Sequence, residues 1–271
     1  MSVMPDQHIL VANKLNKTYT QRSGRFGFGS TKVKALDDVS ITLRAGSTLA
    51  VVGESGSGKS TLARCLLQLQ PLDSGEVMFQ GNNLARLSRH TLRQERRHLQ
   101  MIFQDPFASL NPRMKVREIV AEGLVIHDIG TAREQQDKVA QMLERVGLDT
   151  ADMNKYPHQF SGGQRQRIGI ARALVLQPKV VVCDEPVSAL DVSIQAQILL
   201  LLKSLQQEMN LSYLFISHDL RVVRHIADDI AVMYKGRIVE EGAVDEVYAA
   251  PAQEYTRNLL NSIPGRKSMA A

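Results

Sequence analysis

Tryptophan is absent from this chain, and cysteine occurs only at Cys65 and Cys183. Cys65 falls in a segment that reads as a helix, Cys183 in one that reads as a strand. Both read as small buried hydrophobes, which excludes a disulfide framework or a cysteine metal pair and fits a reducing compartment. Long hydrophobic runs are missing too. No apolar stretch approaches the about 18 residues that a membrane-spanning helix needs, and the longest candidate, Ile198–Leu202, stops at Lys203. The N-terminus carries Asp6 and Gln7 and no apolar h-region, so it is not a secretory signal, and the chain is expected in the cytoplasm. Any work at a membrane would go through other subunits. Internal repeats and low-complexity segments are also absent.

The composition, 44% hydrophobic and 23% charged, is that of a globular chain able to bury one large core, with or without appendages. A net charge of +5 would suit nucleic acid or an anionic membrane. The basic residues are dispersed, however, apart from a modest cluster at Arg86–His98 that includes Arg96 and Arg97. That pattern reads as a solvated helical face.

One motif stands out. Gly53-Glu54-Ser55-Gly56-Ser57-Gly58-Lys59-Ser60 follows the apolar run Leu49–Val52, which reads as a buried strand, and leads into Thr61–Leu69, which reads as a helix stopped by Pro71. In that context the glycines let successive N–H groups turn inward at a helix start, making an anion nest. Lys59 is placed to reach the β and γ phosphates, and the Ser60 hydroxyl to ligate Mg²⁺. The bland reading, a glycine-rich turn that binds nothing, does not account for the strand before it and the helix after it. The motif implies a bound nucleoside triphosphate.

The rest of the chain alternates strands and helices. His8–Tyr19 reads as a strand, 20–34 as a long loop, and Ala35–Leu43 as a strand ending at a turn, Arg44-Ala45-Gly46. Asp73-Ser74-Gly75 reads as a turn before a strand at Glu76–Gln80. Thr131 with Glu134 forms a capping box ahead of the stripe Val139, Met142, Leu143 and Val146, closed by Gly147. Ser161 with Gln164 forms another. After Asp191, a helix places Ile194, Ile198, Leu201, Leu202 and Leu205 on one face, and its leucine run reads as core. Leu211–Ser217 reads as a buried strand, and Ile230–Glu240 as a hairpin turning at Lys235-Gly236. Such alternation around a phosphate loop gives an α/β fold with a mainly parallel sheet.

Two further segments carry chemistry. Lys179–Asp184 is a continuous apolar run with the pattern of a buried parallel strand, and it ends in Asp184-Glu185 at the edge where open parallel sheets bind ligands. There Asp184 can hold Mg²⁺, and Glu185 can orient and deprotonate an attacking water. Alone, the pair could simply end a strand at the surface. Ser161-Gly162-Gly163-Gln164 is on physical grounds equally a helix start and a pair of N–H groups brought close to an anion.

Lying between the phosphate loop and Val180–Glu185, Ser161–Gln164 resembles the signature of the ATP-binding cassette (ABC) family. The family's other elements follow in order. Tyr19 resembles the aromatic that stacks on adenine, and Gln104, in Phe103-Gln104-Asp105-Pro106, the glutamine that senses Mg²⁺ and the γ-phosphate. Ser188-Ala189-Leu190-Asp191 resembles the D-loop at the dimer interface, and His218, in Ser217-His218-Asp219, the switch histidine. Singly, Tyr19, Gln104 and His218 would read as a strand aromatic, a surface amide and a structural histidine; order and spacing lift them. His8, His90, His98, His127, His158 and His225 have no such support. Phe160 stands where leucine is commoner.

The resemblance spans about residues 8–242. It implies a P-loop NTPase cassette with a mainly parallel core sheet, an N-terminal antiparallel β subdomain and an inserted helical subdomain at about 105–175. It implies ATP and Mg²⁺ as cofactors, bound at Tyr19, Gly53–Thr61, Ser161–Gln164 and Asp191, with Ser60, Gln104 and Asp184 toward the metal. Catalytic roles fall to Glu185, His218 and Gln104. Two cassettes would pair head to tail, so that Ser161 and Gly163 of one face the γ-phosphate at Lys59 of the other.

Phe103–Pro112, Tyr156–Arg167 and the tail Pro251–Pro264, with the loop 20–34, are similar to the oligopeptide/dipeptide permease family. That implies a C-terminal extension at 243–271, a second ATPase subunit, two integral membrane permease subunits and an extracytoplasmic solute-binding protein, with no nucleic acid. The ATPase would sit at the cytoplasmic face of a bacterial inner membrane. Related importers carry nickel, glutathione or opines. Many relatives hold an iron–sulfur cluster on cysteines of the extension, and the lack of cysteine after Cys183 predicts none here. Soluble cassette proteins acting on ribosomes usually carry two cassettes, and those acting on DNA a long inserted coiled coil, neither of which is read here.

Overall fold

The structure, a computed structural model, describes residues 8–22 and 30–263. In chain order the elements are β1 (His8–Arg22), β2 (Ser30–Arg44), β3 (Thr48–Val52), α1 (Lys59–Leu66), β4 (Ser74–Phe79), β5 (Asn82–Asn83), α2 (Arg89–Arg96), β6 (Leu99–Ile102), α3 (Pro106–Ser109), α4 (Val116–Ile126), α5 (Ala132–Arg145), α6 (Gly162–Leu174), β7 (Val180–Asp184), α7 (Val192–Met209), β8 (Ser212–Ser217), α8 (Leu220–Ile226), β9 (Asp229–Tyr234), β10 (Arg237–Ala243), α9 (Val244–Ala249) and α10 (Glu254–Asn261). The chain forms two compact units, one taking the chain up to Leu87 and again from Leu214, the other Ser88–Tyr213.

In the first unit, β1 lies inside an antiparallel sheet of order β2-β1-β4-β5. Alternation directs Leu10 and Ala12 of β1, and Val39, Ile41 and Leu43 of β2, into the core, and an irregularity between Ala12 and Leu15 resets the phase so that Leu15 is buried too. The reading of 20–34 as a loop is corrected at both ends. Thr20 pairs with Lys32 and Arg22 with Ser30, so the hairpin extends well beyond Tyr19; residues 23–29 of that reading lie outside the described residues. Lys32, Val33 and Lys34 are exposed, so backbone pairing without an apolar face made this strand invisible to patterning. Ser74 and Gly75, read as a turn, begin β4, with Ser74 opposite Asn16. Asp73 supports the junction by accepting from the Thr18 N–H at 2.6 Å and from Lys17 at 2.9 Å.

All five residues of β3 are buried, and the strand runs parallel to β9, Val52 opposite Val232. β9 returns into β10 through Lys235-Gly236, both at positive φ (45° and 83°), the primed turn that two-residue hairpins prefer. Helices α8, α9 and α10 cover this sheet, Leu220, Val247 and Leu260 packing with Ala50 and Val52.

In the second unit, β6 and β7 run parallel, Leu99 opposite Val180. Both capping boxes form. The Thr131 N–H donates to Glu134 at 2.6 Å, and α5 buries Val139, Met142 and Leu143 before Gly147 ends it at φ 75°. The leucine run of α7 departs from its reading. Ile198, Leu202 and Leu205 are buried, whereas Leu200 is 70% exposed, because consecutive residues on a helix cannot share one face. Among the described residues no helix is long and apolar enough to cross a membrane.

Candidate nucleotide site

The phosphate loop leaves the end of β3 by a route that only glycine can take. At Gly53 (φ 151°) a Cβ would lie 2.1 Å from the Met233 carbonyl oxygen, and at Gly58 (φ 113°) 2.3 Å from that of Ala35. Helix α1 starts at Lys59, two residues earlier than the sequence indicated, with left-handed Gly58 as its N-cap. The first turn therefore contains Lys59, Ser60 and Thr61, with helix N–H groups and the positive end of the dipole directed at the loop. Lys59, 5% exposed, donates from Nζ to the Gly53 carbonyl at 2.7 Å and the Glu54 carbonyl at 2.8 Å. Glu54, Ser55 and Gly56 are exposed, whereas Ser57 is buried and accepts at its carbonyl from the Gly236 N–H at 2.9 Å. A cationic group beneath an exposed, inward-curled backbone suits a polyphosphate.

Two more expected residues lie in this unit. Tyr19 is half-buried on β1, with Lys17 Nζ 5.8 Å from its ring centroid. His218 is exposed and follows β8 directly. Asp219 beside it caps α8, accepting from the Arg221 N–H at 2.9 Å, and the Arg221 guanidinium holds its carboxyl below the usual range.

In the second unit, Asp184 is 5% exposed at the end of β7. Glu185 follows at φ 47°, a left-handed conformation costing a non-glycine residue about 1–3 kcal/mol, which is the kind of strain concentrated at functional sites. Gln104 Nε2 donates to Glu185 Oε2 at 3.0 Å. The structure thus joins two candidates that are far apart in the chain. A divalent cation would find no cage of three or more His, Cys, Asp or Glu side chains among the described residues. Within this unit the oxygen donors of Asp184 and Gln104 suit Mg²⁺, which is ordinarily held by few protein ligands together with substrate phosphates.

Ser161 caps α6 as read. Its Oγ accepts from the Gln164 N–H at 3.3 Å, while Gln164 Oε1 accepts from the Ser161 N–H at 3.0 Å. Asp191 likewise caps α7, accepting from the Ile194 N–H at 3.0 Å and the Ser193 hydroxyl at 2.8 Å, bonds that lower its carboxyl pKa. A Cβ on Gly163 would lie 2.6 Å from Ile194 Cγ2. Packing thus requires a glycine at position 163. Gly163→Ala is expected to lower the thermal midpoint by about 2–4 °C, and Ile194→Ala in the same chain to give part of that back. A double-mutant cycle by thermal denaturation checks this; additive losses would refute the contact as the cause.

Sequence reading missed two arginines on α6. Arg172 donates to the Ser109 carbonyl at 2.5 Å and lies 5.6 Å from the Phe103 ring centroid. Arg165 donates to the Pro157 carbonyl at 2.8 Å, its guanidinium carbon 4.2 Å from the Phe107 ring centroid. The signature helix therefore braces the segment that carries Gln104. The seven-residue spacing, which puts both on one helix face, was the available signal. Cys65 and Cys183 are buried as expected, and burial pushes the Cys65 thiol up to about 11, making it inert.

Comparison with known proteins identifies the family and the fold. The family described as ABC transporter matches residues 36–188. The oligopeptide transport ATP-binding protein AppF of Bacillus subtilis is 50% identical over 265 residues, 97% of this chain and 80% of that protein. The di/tripeptide transport ATP-binding protein DppF of Pseudomonas aeruginosa is 52% identical over 256 residues, 94% of this chain and 79% of that protein. Among solved structures, the ATP-binding cassette MJ0796, a dimer bound to ADP and Pi, superposes with a TM-score of 0.76 at 28% identity, covering 87% of this chain and 98% of that one. The cbiO1 subunit from Clostridium perfringens gives the same score and identity over 94% of each chain. The fold is the α/β ABC cassette, with an antiparallel N-terminal sheet and a mixed, mostly parallel core sheet, and the chain belongs to the ABC transporter family.

Proposed function

We propose that this chain is the ATP-hydrolysing subunit of a bacterial ABC importer, energising uptake of oligopeptides, dipeptides or a related small solute. The observation that carries the hydrolytic reading is the Gln104 amide bonded to Glu185, a carboxylate presented on strained backbone at the end of a buried strand. The relatives' names support the peptide cargo.

In this reading Lys59 and the loop 53–61 bind and orient the triphosphate, and Tyr19 stacks on adenine. Glu185 takes a proton from the attacking water as Gln104 orients it. His218 donates to the γ-phosphoryl oxygens. Ser60, Asp184 and Gln104 would hold Mg²⁺, which supplies charge neutralisation of the phosphates when bound. Ser161, Gly162, Gly163, Gln164 and Asp191 act across a dimer of cassettes, closing the partner's nucleotide site. Catalysis is thus positioning plus electrostatic stabilisation.

The cassette occupies 8–242, with a helical subdomain at about 105–175 and an extension at 243–271. Its partners are a second cassette, identical or related, two membrane permease subunits and an extracytoplasmic solute-binding protein, at the cytoplasmic face of the inner membrane. Nickel, glutathione or opines remain within reach of the same ATPase, since it does not touch cargo. Affinity purification from the native host tests the assembly. Co-purification of integral membrane subunits, with ATP turnover raised by a peptide-loaded binding protein, is the expected result; recovery with rRNA or DNA instead would overturn the transport reading.

A further inference from the structure

We propose that Tyr255, on the C-terminal helix α10, is a positioning residue for nucleotide binding, its hydroxyl fixing the first peptide of the phosphate loop. The inference rests on the nucleotide reading above. The Glu54 N–H donates to Tyr255 Oη at 3.2 Å, and the carbonyl of that same peptide unit, Gly53 O, accepts from Lys59 Nζ at 2.7 Å. In a trans peptide these two groups lie in one plane and point in opposite directions. Tyr255 and Lys59 therefore grip a single peptide unit from its two opposite edges, and a rotation of that unit that releases one strains the other. Tyr255 sets where the lysine ammonium is anchored.

The hydroxyl is presented rigidly. The Tyr255 ring lies against that of Tyr234, centroids 4.2 Å apart. Tyr234 ends β9, and Gly236 just beyond it donates to the Ser57 carbonyl, so neighbouring groups hold the loop at Glu54 and at Ser57. Glu240 of β10 fixes the start of α10, accepting from the Ala252 and Gln253 N–H groups at 2.6 and 3.0 Å, and Leu260 anchors the helix in the core. Burial raises the phenol above its ordinary range, so it stays neutral at physiological pH. A tail segment thus acts on the nucleotide loop through one hydrogen bond.

The test uses the full chain with ATP and Mg²⁺. Tyr255→Phe keeps the ring and its packing and removes only the acceptor. Its dissociation constant for ATP, by calorimetry, is expected to rise about 3- to 10-fold, the loss of one hydrogen bond. Amide exchange at Glu54 should accelerate by a similar factor. In the assembled transporter, KM for ATP should rise with kcat held within about twofold. Tyr248→Phe is the control. It removes a hydroxyl of the same C-terminal segment that donates to the Leu220 carbonyl, and it should leave ATP affinity within about twofold while costing similar stability. Unchanged ATP affinity in Tyr255→Phe, or an equal loss in Tyr248→Phe, overturns the positioning role. A wild-type chain that fails to bind ATP would instead remove the nucleotide reading itself.

Discussion

Glu185→Gln is expected to bind ATP as the wild type does and to lose about 10²- to 10⁴-fold in turnover, the usual worth of a general base. The substitution is chosen for what it keeps. Glutamine has the same shape, and its carbonyl oxygen can still accept from Gln104 Nε2, which now donates to Glu185 Oε2 at 3.0 Å. The backbone at φ 47° meets no new branching at Cβ, and the turn in which the Ser188 N–H donates to the Glu185 carbonyl at 3.2 Å is unchanged. What disappears is a carboxylate able to take a proton. Lys59 and the loop 53–61 are untouched, so calorimetry should give a wild-type ATP dissociation constant. Phosphate release within about tenfold of wild type would rule out Glu185 as the base and leave Gln104 holding a structural carboxylate.

The parts legible from sequence were those whose physics is local or whose burial is two-sided. Gly53–Ser60 announces itself because the glycine, lysine and serine positions are set by one loop. Val180–Asp184 reads as a strand because both of its faces are buried, giving a run with no polar break. Thr131 and Ser161 were legible as caps because each bonds three residues ahead. Elsewhere the determining contact was distant or carried by backbone. Residues 30–34 pair through main-chain bonds, and Lys32, Val33 and Lys34 expose their side chains, so no pattern marks them. The leucine run of α7 was over-read as core because composition outweighed phase, and Leu200 faces out. Order of motifs pointed to Gln104 and Glu185 separately, but their bond depends on how β6 and β7 lie side by side. Arg172 at the Ser109 carbonyl and Tyr255 at Glu54 join segments that no local rule connects.

Gly53→Ala should be the most damaging single methyl in the first unit, and comparison with Gly56→Ala isolates why. Both glycines have positive φ, 151° and 80°. Each substitution therefore carries a conformational cost, about 1–2 kcal/mol at Gly56 in the ordinary left-handed region and about 1–3 kcal/mol at Gly53 in a region reserved for glycine. The surroundings differ more. A Cβ at Gly56 meets nothing within 4 Å, whereas one at Gly53 lies 2.1 Å from the Met233 carbonyl oxygen and 3.2 Å from its carbon. Met233 cannot swing aside, since it sits within β9, the strand paired with both β3 and β10. Relief requires the loop to lift off the end of β3, and lifting it carries away the Gly53 carbonyl that receives Lys59 Nζ and the Glu54 N–H held by Tyr255. Gly53→Ala is thus expected to lower the thermal midpoint by about 5 °C or more and to weaken ATP binding by about 100-fold or more, against a few-fold for Gly56→Ala. Differential scanning calorimetry and ATP titration on the two variants give the comparison. Equal losses at the two positions would mean that φ alone governs the loop; a much larger loss at Gly53 assigns the requirement to the close passage of the loop past β9, a constraint set by the sheet and not by the nucleotide.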